Sequence, residues 1–377
     1  MKFVCAIDSY KGSLTSMQAG NAAKRGILRA FPDAEVTVMP IADGGEGTVE
    51  TLAEGMDGEI CTTSVTGPLG GAVESRFLVV DGGATCVMEM ASAAGITLVK
   101  EDELDPLRAT SYGVGETILA AAEKGCRSFI IGIGGSATND GGCGMLQALG
   151  ARFADKNGKE IPFGGGALGD IESIDVSGIN PVVKECTFNI ACDVTNPLCG
   201  PEGASAVYGP QKGADSRTVE LLDSNLAHFA DLTKKALGKD FSYLPGSGAA
   251  GGLGFAFASY LNGRLSKGIE LILDLINIDR ELDGADCLIT GEGRIDFQTA
   301  MGKAPIGAAK RAKKYGLKTI AVAGSASIDS AECNGFGIDA VFSISNGPMT
   351  LEEAMEKERA EDNLSFTVDQ LVRLFGR

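Results

Sequence analysis

The sequence predicts an α/β protein whose parallel sheet is assembled from both ends of the chain and interrupted by a second, mixed α/β domain. Three observations predict it. Apolar runs at 2–7 and 35–41 each end in Asp or Asp-Gly, and the pattern returns at 286–289, 319–323 and 339–344, as expected of buried parallel strands with polar carboxyl ends. Between them, 62–65, 73–80 and 86–90 are short runs separated by Gly-Pro-Leu-Gly-Gly and Asp-Gly-Gly, the turn signals of antiparallel pairing. At 377 residues the chain also exceeds what one core usually serves.

Composition narrows the function. The formal charge of −17 argues against nucleic acid and anionic membrane surfaces, both of which need a basic face, and leaves small molecules as the expected ligands. The uncharged stretch 241–263 is broken by Pro245 and many glycines, so it makes no membrane span. Ten cysteines without a C-x-x-C pair, several inside apolar runs, read as small buried hydrophobes. With no secretory h-region at the start, they indicate a cytoplasmic protein. The single histidine, His228, lies in a helical pattern with Leu222, Leu226 and Phe229, which removes His-ligated zinc and a Ser-His-Asp triad. Any acid or base is then a carboxylate or a lysine.

In chain order, the strand at 2–7 ends at Asp8, and Ser9 to Ser13 form a turn before a helix from about Thr15 to Phe31, which places Lys11 and Ser13 within reach of a ligand. The strand at 35–41 runs into Asp43-Gly44-Gly45-Glu46-Gly47-Thr48, followed by a short helix. A helix carrying Val114, Ile118 and Leu119 leads to the strand Phe129-Ile130-Ile131 and then to Gly-Ile-Gly-Gly-Ser-Ala-Thr-Asn-Asp-Gly-Gly at 132–142. That run reads as a phosphate loop: glycines bring amides close to an anion, Ser136, Thr138 and Asn139 add short donors, and a helix follows. It also fits the dinucleotide fingerprint, with Asp155 about 20 residues on, but Asn157-Gly158 beside Asp155 is a hairpin signal. Gly246 to Gly251 spells G-x-G-x-x-G without a preceding strand and reads as a loop entering an apolar helix. Residues 269–278 read as a helix buried nearly all round. The strand at 286–289 is expected to end in the loop 290–296, and two more strands and helices complete a flavodoxin-like five-stranded parallel domain. The expected division is 1–60 and 265–377 for this domain and 61–264 for the insert, with the active site in the cleft between them.

Taken together, Asp8 to Ser13, Ala42 to Thr48, Thr66 to Gly70, Gly134 to Gly142, Cys192 to Leu198, Gly209 to Gly213 and Thr290 to Asp296 resemble the bacterial glycerate kinases of glycerate and glyoxylate catabolism. The resemblance covers essentially the whole chain. Tyr10 stands where phenylalanine is usual and Ile7 where proline is usual. The resemblance implies a flavodoxin-like domain with an inserted α/β domain, and Mg²⁺-assisted transfer of the γ-phosphoryl of ATP to a hydroxyl of D-glycerate, the 2-position being favoured.

That chemistry needs positioned cations and amides for spreading negative charge and a carboxylate near the attacking hydroxyl. The chain has no Walker A motif. The phosphates are therefore expected on Gly134, Gly135, Ser136, Thr138 and Asn139 together with Lys11, and the glycerate carboxylate on Arg294 or on Lys212, which is otherwise a nucleotide-side cation. Asp193 is the first expected base and Asp8 the second. Asp43 and Asp296 are expected at the substrate, and Asp140 at Mg²⁺. A non-catalytic metabolite sensor and a nicotinamide-dependent hydroxy-acid enzyme are the alternatives.

Overall fold

The computed structural model describes residues 1–375. Strands in chain order are β1 (Lys2–Ile7), β2 (Glu35–Pro40), β3 (Glu59–Thr66), β4 (Ala72–Val80), β5 (Thr85–Glu89), β6 (Ser128–Gly132), β7 (Arg152–Ala154), β8 (Ser173–Asp175), β9 (Thr187–Ala191), β10 (Arg264–Ser266), β11 (Cys287–Ile295), β12 (Lys318–Ala326) and β13 (Ala340–Ser343). The chain divides into two compact units, one of residues 1–43, 50–56 and 269 onward, the other of 44–49 and 57–268.

The first unit holds the five-stranded sheet, in the order β13-β12-β11-β1-β2, with every pair parallel. Counted along the unit, this is the flavodoxin-like order, in which the chain leaves β1 toward one edge and β11 toward the other. The topological switch point therefore lies between β1 and β11, where ligands of open α/β sheets gather. The inner strands β1, β11 and β12 hold long buried runs because both faces are covered there, while the edge strands β2 and β13 are only partly buried. Phe3, Cys5 and Ile7 pack with Ala23 and Ile27 of the helix Ser16–Ala30 and with Leu364 and Val368 of the helix Lys357–Val372. Val4 and Ala6 pack with Ile269 and Leu273 of the helix Gly268–Leu275 and with Ala308 of the helix Ala304–Lys314. Thr15 starts the helix Ser16–Ala30 with a capping box completed by Gln18.

Two sequence expectations change. The helix expected at 269–278 ends at Leu275, and Asp274 is exposed, so it is buried on one face only. More consequentially, β11 does not stop at Ile289. Its pairing with β12 runs on through Arg294 opposite Ser325 and Ile295 opposite Ala326, so the expected loop is strand.

The second unit holds a six-stranded mixed sheet, order β10-β9-β6-β5-β4-β3. The β3-β4 and β4-β5 pairs are antiparallel, as their turn signals predict, and β5-β6, β6-β9 and β9-β10 are parallel. Its core joins Phe129, Phe188 and Phe257 to Phe153, Phe229 and Phe255. His228 is half-buried, its Nε2 2.8 Å from the Ile171 carbonyl oxygen. All ten cysteines are free thiols. Among the described residues no helix is long and apolar enough to cross a membrane.

Candidate active site

In the first unit, β1 delivers Asp8 to the carboxyl edge of the sheet, where its amide still donates to the Gly291 carbonyl at 2.8 Å. A tight turn follows, closed by the Tyr10–Leu14 bridge, with Lys11 exposed at its tip. The Tyr10 hydroxyl donates to the Val322 carbonyl at 2.9 Å, which fixes the turn over β12 and gives this tyrosine a satisfied place where phenylalanine would have served. Ser13 Oγ is buried there with no partner among the described residues.

β11 supplies the other side of the switch point. Because 292 and 294 are two apart on a strand, Glu292 and Arg294 share a face. Thr299 donates to Glu292 at 2.6 Å, and the Lys303 ammonium lies 3.8 Å from its second oxygen. Arg294 keeps 71% of its side chain exposed and pairs with Asp296 at 3.2 Å. Asp296 also caps the short helix Phe297–Ala300. Asp8, Lys11, Asp43, Glu292, Arg294 and Lys303 line one cavity of about 790 Å³.

Neighbouring carboxylates in that space act on Asp8 and on Glu292. Burial first, and then the negative charge of Asp43, push the Asp8 carboxyl up to about 7; Glu292 adds to this, while the Ser9 amide and Lys11 oppose it. Burial also raises Glu292, against the Thr299 hydrogen bond and Lys303. A carboxyl poised near neutrality beside cations is what a general base requires.

The second unit carries the loop after β6. Gly134 and Gly135 are exposed at its tip, whereas Ser136, Thr138, Asn139 and Asp140 are buried. Lys212 is also buried, and its Nζ donates to Ser136 Oγ at 2.7 Å and to the Thr138 carbonyl at 2.6 Å. Burial draws this lysine down to about 7, against the charge of Asp140. Asp140, expected at a metal, accepts from the amides of Ser111, Gly142 and Gly144 and from Ser111 Oγ. Burial raises its pKa, and those hydrogen bonds oppose the rise. The helix that follows, Cys143–Ala148, has only six residues, and its first amides are met by Asp140.

Asn139 Nδ2 donates to Ser205 Oγ at 2.9 Å, and Thr138 Oγ1 is buried without a partner among the described residues. The G-x-G-x-x-G run supports the loop from behind: a Cβ on Gly251 would stand 2.1 Å from the Thr138 carbonyl oxygen. Its glycines thus serve close packing. Asp193 is exposed after β9 and accepts from the Gly268 amide at 3.2 Å. The nicotinamide alternative loses its ribose acid, because Asp155 Oδ1 accepts from the Asn157 and Lys159 amides inside a turn.

The structure therefore brings Asp8, Lys11, Asp43 and Arg294 together, with Asp296 paired to Arg294, and places Asp140, Lys212 and the Gly134–Asn139 loop in the other unit. Sequence reasoning missed Glu292. The signal was its position two residues from Arg294, which marks a shared face only once 290–296 is recognised as strand.

A parallel sheet with a near-neutral carboxyl and three cations at its switch point defines an α/β enzyme for a small anionic substrate. Comparison with known proteins makes the class narrower. The model of the glycerate kinase family matches residues 3–376. The chain is 50% identical over 356 residues to a glycerate kinase of Bacillus subtilis (strain 168), covering 94% of this chain and 93% of the relative. It is 48% identical over 364 residues to a glycerate 2-kinase of Escherichia coli (strain K12), covering 97% and 95%. A crystal structure of a protein described as glycerate kinase 2, from Salmonella typhimurium LT2, superposes with a TM-score of 0.91 at 44% identity, over 100% of this chain and 98% of the other. The chain belongs to the glycerate kinase family, and it is a kinase.

Proposed function

We propose that the protein transfers the γ-phosphoryl of ATP to the 2-hydroxyl of D-glycerate, giving 2-phosphoglycerate and ADP. One observation carries the residue assignment: Asp8, pushed up to about 7, shares a cavity with Lys11, Arg294 and Lys303. Asp8 accepts the proton of the attacking hydroxyl as the oxygen–phosphorus bond forms, and Asp193, exposed in the other unit, is not needed for that step. Arg294 offers a planar pair of donors to the glycerate carboxylate. Lys11 and Lys303 hold charge on the transferring phosphoryl.

Asp8, Asp43 and Glu292 are hard oxygen donors whose mutual repulsion, part of what raises Asp8, a divalent cation would relieve. They form no ready-made cage, since no group of three or more ligating side chains is arranged for a metal among the described residues. Mg²⁺ asks for none, because it keeps waters and rides on substrate phosphates with one or two carboxylates. Asp43 and Glu292 would hold it, and it would supply charge neutralisation at the phosphates. A coupled assay for ADP release tests the reading: release that depends on both D-glycerate and Mg²⁺ supports it, and release indifferent to glycerate refutes it.

A further inference from the structure

The cavity at the switch point is not charged throughout. A second part of its wall comes from the segment after β13, where Ile344, Pro348, Met349, Leu351 and Met355 line the same space. Leu351 is 76% exposed and Met355 37% exposed. Met355 reaches back over the Lys11 turn, its terminal methyl 2.8 Å from the place a Cβ on Gly12 would take. Asn363 also faces the cavity; its Oδ1 accepts from Asn346 at 3.2 Å, which leaves its amide protons for another partner.

Glycerate explains none of this. A three-carbon acid with oxygen on every carbon has no surface for five apolar side chains, and about 790 Å³ lies in the range of pockets for much larger ligands, roughly 300–1,000 Å³. A nucleotide has both halves: a flat, weakly hydrated base with ring-nitrogen acceptors, and a polyanion. We propose that the purine base of the nucleoside triphosphate lodges on the Met349, Leu351 and Met355 wall with Asn363 as a donor to a ring nitrogen, its phosphates running to Lys11 and Lys303. The proposal rests on the kinase reading and locates its nucleotide in the first unit. Thioethers and leucine suit a base because they are polarisable and adaptable, and the placement keeps the base beside the switch point rather than in the second unit's glycine loop.

The test is steady-state kinetics of the full chain carrying Leu351→Asp or Met349→Asp, with calorimetric binding of a non-hydrolysable ATP analogue and Mg²⁺ in the absence of glycerate. Leu351 is exposed, so its replacement leaves folding intact even if that of Met349 does not. The expected result is a KM for ATP raised tenfold or more and a matching loss of analogue affinity, with KM for glycerate within twofold of the parent. Unchanged ATP KM and analogue affinity in a folded, active Leu351→Asp protein would overturn the proposal, as would a rise confined to glycerate. An unmodified protein that binds the analogue but never phosphorylates glycerate would defeat the kinase reading, while the two variants would still locate the nucleotide.

Discussion

Lys212 stands wholly inside the protein with its ammonium 2.7 Å from Ser136 Oγ and 2.6 Å from the Thr138 carbonyl oxygen, bolting the glycine loop from below. Replacing it by methionine leaves two buried acceptors without a donor, at about 1–3 kcal/mol each. The deficit should depend on pH. Lys212 titrates near 7 when folded and near 10.4 when unfolded, so between these values the unfolded chain binds the extra proton and stability contributed by this group rises with pH. Urea unfolding of the parent and of Lys212→Met should diverge further at pH 9 than at pH 7. A difference independent of pH would show that the lysine does not titrate in that window.

Asp8 offers a kinetic counterpart. With its carboxyl pushed up to about 7 by burial and Asp43, the base is protonated below that pH and available above it. The kcat/KM for glycerate should rise along an acidic limb lying at or below about pH 7, because burial raises Asp8 while Mg²⁺ held by Asp43 and Glu292 relieves part of the repulsion. Asp8→Asn should lose on the order of 10²–10⁴ in kcat and flatten the limb. A variant that keeps both the rate and the limb would return the role of base to Asp193.

Gly26 lets the helices Ser16–Ala30 and Lys357–Val372 touch backbone to backbone. A Cβ there would stand 2.3 Å from the Ser365 carbonyl oxygen and 2.9 Å from the Asp369 nitrogen. Since neither atom belongs to a flexible side chain, Gly26→Ala should destabilise by about 1–3 kcal/mol, the scale of overpacking, and leave KM values unchanged. A denaturation midpoint equal to the parent's would mean that the helix pair has slack.

How far the sequence carries depends on which residues one asks about. The strand that ends at Asp8 was legible because burial on both faces writes a near-continuous apolar run, and the strand before Asp43 by its alternating Val36, Val38 and Pro40 and the Asp-Gly after it. The stretch Gly291 to Arg294 was not, because two glycines and two charges read as a loop, and beyond Gly291, where β1 stops pairing, the β12 ladder keeps it extended. That misreading hid Glu292. In the second unit, Asp140 and Lys212 carry the residue types of a phosphate site, yet their partners are Ser111, Gly142, Gly144, Ser136 and Thr138. A sequence shows that a polar side chain is present beside a glycine loop; whether it is turned toward ligand or toward protein is settled by packing among residues distant in the chain.

The central claim, phosphorylation of D-glycerate at its 2-hydroxyl, is tested most directly by proton–phosphorus correlation NMR of the product formed from D-glycerate, ATP and Mg²⁺. The account predicts one new phosphoester whose phosphorus couples to the single proton on C2. Coupling to the C3 methylene protons, or ATP converted to ADP and inorganic phosphate with no new phosphoester, would contradict it.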